Sequence, residues 1–355
     1  LTRIYLDHAA TTPMTPAARA AVAEGMARWA NPSSPHAEGR AARAALEAAR
    51  GEVAAAYGWP GEVLFTSGAS ESLALALGRS IAGGRVAMSM VEHDAVFRAA
   101  PPTARPLVVD AQGLLKGENW PTLLDAEGKA LICVQWANSE TGVRQPIAAL
   151  AEAAHALGHL LLVDAAQMPA SDELAAHADF VAVSGHKRGG PPGIGALLVR
   201  DLATLMPTGG QERGYRAGTE NLPAILGFAA ALAEPEPDHA ALRARLDDAI
   251  TRSGGEVVSS GAPRHPAIGS YRLPGVPATT QLIRLDMAGF AVSAGSACSS
   301  GSMKPSHVLA ALGWPEAAGR EVIRVSFGRS TSSAEVDAFI AAWRQMARAT
   351  RTFAA

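Results

Sequence analysis

Cysteine is scarce: the 355 residues hold two, Cys133 and Cys298. Two thiols cannot build the bridge framework of a small secreted domain, so the expected compartment is the cytoplasm. Long apolar runs are missing as well. Nothing approaches the roughly 18 uninterrupted apolar residues that a membrane-spanning helix needs. The opening residues, Leu1-Thr2-Arg3-Ile4-Tyr5-Leu6-Asp7, meet charge too early for a secretory leader. Charge of one sign is not concentrated anywhere. With 31 Lys and Arg against 33 Asp and Glu, no basic block stands out, and the electrostatics give no reason to expect nucleic acid as a partner. The hydrophobic share of 48% suits a globular chain, and the length suits one large domain plus a smaller one.

Two short apolar runs organise what is there. Leu160-Leu161-Leu162-Val163 ends on Asp164, followed by Ala165-Ala166-Gln167. Phe180-Val181-Ala182-Val183 runs into Ser184-Gly185-His186-Lys187 and then a Gly/Pro-rich turn. Runs that are apolar on both faces read as buried parallel strands. Each then delivers a charged residue at its carboxyl end, where open α/β sheets place their ligand sites. A carboxylate and an amine at one sheet edge suit pyridoxal 5′-phosphate (PLP): the amine forms a Schiff base with the aldehyde, and the carboxylate keeps the pyridine nitrogen protonated. A structural ion pair at a sheet edge would use the same two residues.

The other strands follow a strand–helix–strand order, which predicts a mostly parallel, doubly wound sheet. Helices are expected from Pro16 to Trp29, Glu38 to Tyr57, Leu73 to Ile81, Ile147 to Leu157 and Ala224 to Leu232. Val63-Leu64-Phe65-Thr66 leads into Ser67-Gly68-Ala69-Ser70-Glu71-Ser72 and a helix. A strand, a turn of small residues and a helix can make a phosphate cup, with free amides and the Ser70 hydroxyl facing the anion. An ordinary serine-capped helix has the same sequence signature. His93 lies just past the strand Val86–Ser89, where a flat imidazole could stack on a ring. Cys133, inside the run Ala130–Trp136, is a small core residue. Residues 101–129 are broken by Pro and Gly and give no clear element, and 209–221 form a long polar loop of the kind that carries function.

Glu234-Pro235-Glu236-Pro237 is the best linker in the chain, and beyond it a helix from Asp238 to Arg252, short strands and a final helix from Ala334 to Arg348 suggest an α+β module. The expected division is a large domain of residues 14–235 and a small domain of residues 1–13 and 236–355. Within the small domain, Cys298 sits in Ser293-Ala294-Gly295-Ser296-Ala297-Cys298-Ser299-Ser300-Gly301-Ser302. A thiol displayed among small residues reads as reactive rather than structural.

Taken in order, these segments carry a resemblance over almost the full length. They run from Tyr5-Leu6-Asp7 with Ala10-Thr11-Thr12, through Asn31-Pro32-Ser33-Ser34, the Thr66–Ser72 turn, Glu92-His93, Val163-Asp164-Ala165 with Gln167, and Ser184-Gly185-His186-Lys187. Arg213-Gly214, Arg216-Ala217-Gly218-Thr219, the cysteine loop, Lys304–Leu309 and Ile323–Arg329 complete the set. The chain resembles the cysteine desulfurases of the NifS/IscS type, in the class V aminotransferase-like family of fold-type I PLP enzymes. The resemblance implies a large domain with a mostly parallel, seven-stranded type of sheet and a small α+β C-terminal domain. It implies that L-cysteine becomes L-alanine while sulfur passes to Cys298 as a persulfide, for iron–sulfur cluster assembly or other sulfur traffic through an acceptor or scaffold protein.

Residue roles follow from the same resemblance. Lys187 is the Schiff-base lysine and proton carrier, Asp164 holds the pyridinium proton, Gln167 bonds the ring hydroxyl and His93 stacks on the ring. Ala69, Ser70, Ser184 and His186 bind the phosphate, with Thr219 reaching in from the partner of a homodimer. Arg324 clamps the substrate carboxylate, for which a guanidinium fork is suited, with Asn31 and Ser139 as further substrate contacts. No metal ligand is implied. The chain departs from the family in three places: Asn138-Ser139 replaces two asparagines, Pro192 replaces a turn lysine, and Ser70 stands where Thr is common. It also reaches Ala355 soon after Arg329, without the longer tail that helps many relatives dock the scaffold protein, so that partner is not implied by the tail. Two alternatives share the sequence signals: a selenocysteine lyase of the same family, and a non-catalytic binding protein on a PLP fold.

Overall fold

The computed structural model describes residues 3–82, 84–116, 128–295 and 305–354. In chain order its strands are β1 (Ile4–Tyr5), β2 (Glu62–Thr66), β3 (Val86–Ser89), β4 (Arg105–Leu107), β5 (Leu131–Gln135), β6 (Leu160–Asp164), β7 (Phe180–Ser184), β8 (Gly195–Val199), β9 (Glu256–Val257), β10 (Ile268–Arg272), β11 (Phe290–Ala291) and β12 (Val322–Ser326). Seven of them form the main sheet, in the order β2-β8-β7-β6-β5-β3-β4.

That sheet is parallel except for β8, which runs against both β7 and β2. The exception has a local cause. A parallel return needs a crossover of a dozen or more residues, usually helical, whereas residues 185–194 make a turn with no helix in it. The chain therefore folds straight back, Ser184 pairs with Gly195, and Lys187 is held inside the hairpin turn. The edge strand β4 falls in the stretch that gave no clear sequence signal. It contains Pro106, which an edge strand tolerates and a central strand does not.

The apolar runs are explained by burial on both faces. Alternate residues Ile132, Val134, Leu161, Val163, Val181, Val183 and Leu198 face one core, against Leu46, Val53, Leu150 and Phe228 from three helices. Their neighbours Leu131, Cys133, Leu160, Leu162, Phe180, Ala182 and Leu197 face the other, against Leu73, Ala76 and Leu77. Both cores exclude water, so each strand has to be apolar at every position. Among the described residues no helix is long and apolar enough to cross a membrane.

Beyond the linker, β12, β10 and β9 pair antiparallel, and β1 pairs with β11. A separate apolar cluster joins Leu6 from the start of the chain to Leu246, Tyr271, Val325, Phe339 and Trp343. The helix expected to start at Leu73 starts at Ala69, four residues earlier. Ala69-Ser70-Glu71 carry no apolar periodicity, which hides the first turn from a pattern-based reading. Helices at Ala278–Met287, His307–Ala311 and Glu316–Gly319 were also not apparent from the sequence.

The loop 209–221 is pinned to this framework by a buried ion pair. Glu212 is 2% exposed and Arg50 5%. Their side chains meet at 2.6 and 3.1 Å, and Glu212 also accepts from the Phe65 amide at 2.9 Å. Glu212 and Arg213 hold φ at 46° and 60°, the left-handed region that ordinary side chains avoid. Glu212→Gln keeps the shape but removes the buried counter-charge, leaving the guanidinium only the part-exposed Glu47, 3.1 Å from its Nε. It should cost about 3–5 kcal/mol in urea unfolding, and a loss below about 1 kcal/mol would show that the pair does not anchor the loop.

Candidate active site

The carboxyl ends of β2, β3, β5, β6 and β7 converge on one edge of the sheet, and a cleft opens there. One cavity of about 410 Å³ is lined by Ala69, Ser70, His93, Ser139 and Asp164. Gln167, Ser184, His186 and Lys187 line the same cavity, with Pro192 in the turn beyond. A second cavity, of about 900 Å³, continues from it past His93, Ser139 and Lys187 to Asp7, Glu140, His307 and Arg324.

One end of the smaller cavity fits an anion. The helix Ala69–Arg79 begins after Gly68, which has φ 148° and supplies no capping side chain. The first amides of a helix have no acceptor of their own, and here they face the cavity with the exposed Ser70. A Cβ on Gly195 would meet Gly68 at 2.7 Å, so the close pass of turn and strand requires glycine. His186 sits opposite, its Nδ1 3.1 Å from Thr11 Oγ1. Burial, with Lys187 and Arg188 nearby, pulls its pKa down to about 4, so near neutrality it is an uncharged imidazole.

Asp164 ends β6, is 7% exposed and accepts from the Ala166 amide at 2.9 Å. Burial raises its pKa, against the opposing pull of that amide, His93 and Lys187. Lys187 shows the reverse effect. Burial first, then the charge of Arg324, bring its amine from 10.5 to about 8, although Asp164 pulls the other way. An amine in that range is a competent nucleophile near neutrality. His93 caps the helix Asp94–Ala99 by accepting from the Ala95 amide at 3.2 Å, which fixes its ring at the cleft surface. Gln167 spends its Nε2 on the Ala9 carbonyl at 3.0 Å, which leaves its Oε1 for a ligand. An uncapped helix start, a buried carboxylate and a lysine of lowered pKa together fit a phosphorylated pyridine aldehyde.

Three expected residues stand apart. Asn31 is exposed in a turn, accepts from the Ser33 amide at 2.9 Å, and lines neither cavity. Thr219 is also exposed, away from this chain's own cleft. Cys298 lies outside the described residues. The ends of its segment are described: Gly295 and Pro305 line the larger cavity. Glu140 touches both ends, accepting from Ser306 Oγ at 2.6 Å and filling the space where Gly295 would carry a Cβ.

A sequence reading did not single out Asp7 or Glu140. Arg324, 6% exposed on β12, donates through Nη2 to Asp7 Oδ1 at 2.8 Å and through Nη1 to the Ser139 carbonyl at 3.0 Å. Ser139 thus offers Arg324 its main chain, which does not depend on having asparagine there. Asn138 is spent internally: it accepts from the amides of Glu140 and Thr141 at 2.9 and 2.8 Å.

A mostly parallel sheet with this cleft at its carboxyl edge is the fold-type I architecture of PLP-dependent transferases. Residues 4–339 match the family model for class-V aminotransferases, and the chain belongs to that family. It is 37% identical to a cysteine desulfurase of Cereibacter sphaeroides, over 94% of this chain and 93% of that protein. It is 36% identical to an IscS-like cysteine desulfurase of Mycobacterium tuberculosis, again over 94% and 93%. A solved NifS-like protein from Rickettsia africae superposes with a TM-score of 0.84 at 28% identity, covering 97% of this chain and 99% of that one.

The lysine shift has a measurable consequence. In cofactor-free protein, reductive labelling of Lys187 with a small aldehyde should rise with pH and reach half its maximum near pH 8. Arg324→Met should move that midpoint upward. A rate still climbing through pH 10, or no response to Arg324→Met, would contradict the assigned environment. The sign for stability follows: between about 8 and 10.5 the unfolded lysine holds a proton that the folded one has lost. This residue therefore makes the cofactor-free fold more stable as pH rises across that window.

Proposed function

We propose that the protein is a PLP-dependent cysteine desulfurase, turning L-cysteine into L-alanine and carrying the released sulfur on Cys298. The observation that carries this reading is that Lys187 and Asp164 line one cavity beside an uncapped helix start, in a chain over a third identical to proteins named cysteine desulfurase. PLP, when bound, supplies an electron sink for the substrate's α-carbon. Ala69, Ser70, Ser184 and His186 would hold its phosphate, with the helix N-terminus supplying the field. Asp164 would hold a proton at the ring nitrogen, His93 would cover the ring face and Gln167 would meet the ring hydroxyl. Lys187 would form the covalent link.

The remaining work belongs to this chain's side chains. Lys187, with its lowered pKa, takes the α-proton and returns a proton to the product. Arg324 orients the substrate through its carboxylate. The Cys298 thiolate bonds to the substrate sulfur as the C–S bond breaks. The C–S electron pair stays on carbon and takes a proton, and the protein keeps a persulfide. The segment that carries Cys298 leaves and rejoins the described chain at Gly295 and Pro305, both on the larger cavity. That supports delivery of the thiol to the same space as Lys187.

The same reading includes a division at the linker, with residues 14–235 as the large domain and residues 1–13 with 236–355 as the small one. The second apolar cluster, which draws Leu6 to the C-terminal residues, supports it. It also includes a cytoplasmic homodimer in which the exposed Thr219 serves the neighbouring cleft, and a sulfur-acceptor protein.

Cys298→Ala separates this reading from its rivals. The variant should bind PLP as the wild type does, release essentially no alanine from L-cysteine and form no persulfide. Alanine production that survives the substitution removes Cys298 from the mechanism. Wild-type turnover confined to selenocysteine, undiminished in Cys298→Ala, identifies a selenocysteine lyase instead. Asp164→Ala should keep PLP while losing most of its turnover, and unchanged turnover would remove Asp164 from its role.

A further inference from the structure

Arg324, the proposed clamp for the substrate carboxylate, already carries a carboxylate of its own chain. Asp7 Oδ1 accepts from its Nη2 at 2.8 Å, and the Ser139 carbonyl accepts from Nη1 at 3.0 Å. Arg324 Nε is buried without a partner. Asp7 and Arg324 both line the larger cavity, with Lys187 and Ser139. Asp7 is not a side chain that happened to swing in. Residues 6–9 are laced to β12 on both sides of it. The Ser326 amide donates to the Leu6 carbonyl at 2.8 Å, and Ser326 Oγ accepts from the Ala9 amide at 2.8 Å. The guanidinium is therefore held in a fixed plane, and its charge is offset before any substrate arrives.

We propose that Asp7 is a built-in counter-charge, which lowers the affinity of Arg324 for α-carboxylates so that substrate and product exchange. An incoming carboxylate meets a guanidinium whose charge is already matched, and it must settle near a second anion. Two like charges a few ångströms apart in a partly buried cleft repel appreciably, and solvent in the open cavity reduces but does not abolish this. Substrate cysteine and product alanine present the same carboxylate, so the effect falls on both. A clamp without Asp7 would hold both more firmly, and alanine would leave more slowly. The inference rests on the desulfurase reading and deepens it by assigning a role to a residue of the N-terminal segment.

The test compares holoenzyme of the wild type, Asp7→Asn, Asp7→Ser and Arg324→Met. It measures KM for L-cysteine, calorimetric binding of L-alanine, and inhibition by cysteamine, which lacks the carboxylate. Asp7→Asn retains an acceptor for Nη2 but no charge, and Asp7→Ser is a second neutral variant. Thermal melting reports that each variant is folded. Both neutral variants should lower KM and tighten alanine binding together, by about tenfold, and leave cysteamine inhibition unchanged. If Arg324→Met weakens alanine binding but the Asp7 variants leave both constants unchanged or raise them, the inference fails while the clamp stands. If Arg324→Met leaves alanine binding intact, Arg324 is not the clamp, and both the clamp and the inference are overturned.

Discussion

The site depends on the cost of keeping an amine and a carboxylate out of water at the same sheet edge. Asp164 ends a strand buried on both faces, and Lys187 sits in the turn that follows the next strand. Burial pushes the two pKa values in opposite directions, Asp164 up and Lys187 down to about 8. Each partly relieves the other, yet neither shift is cancelled. A pair kept for stability alone gains little from such an arrangement, because desolvation consumes most of the attraction. The arrangement suits a site where the amine must react and the carboxylate must receive a cationic ring nitrogen.

The second constraint is that the cleft is built from two bodies of packing. The phosphate end belongs to the main sheet and its helices, with Gly195 passing so close to Gly68 that it has no room for a side chain. The carboxylate end belongs to β12, which packs with the C-terminal apolar cluster. The N-terminal segment joins them. Leu6 is buried in the C-terminal cluster, Asp7 pairs with Arg324, the Ala9 carbonyl accepts from Gln167, and the Thr12 amide donates to the His186 carbonyl. A few residues at the start of the chain thus set the distance between the two ends of the site.

Much of this was legible from residue order. The strands that lead to Asp164 and Lys187 announced themselves because burial on both faces forbids polar residues, and β2, β3 and β5 fell where the apolar runs put them. The small-residue turn before the helix at Ala69 pointed to an anion site, although the helix began a turn earlier than its apolar periodicity. Pairing across hundreds of residues was not legible. Asp7 and Arg324 are neighbours because β12 runs beside the N-terminal segment, and no local pattern encodes that. Glu140 carried no local signal either, yet it is 5% exposed and touches both described ends of the cysteine segment. Asn31 and Thr219 illustrate the converse. Their roles came from resemblance, and both are exposed on the single chain, where a partner subunit would have to complete the site.

The central claim is that sulfur leaves the substrate for Cys298 and that alanine is the organic product. The most direct measurement is a single turnover of the PLP-loaded protein with L-cysteine labelled in its sulfur, quenched and analysed by peptide mass spectrometry alongside amino-acid analysis. The expected result is one labelled sulfur on the peptide containing Cys298 and one alanine for each sulfur bound. Label on Cys133, or alanine released with no sulfur retained on Cys298, would contradict it.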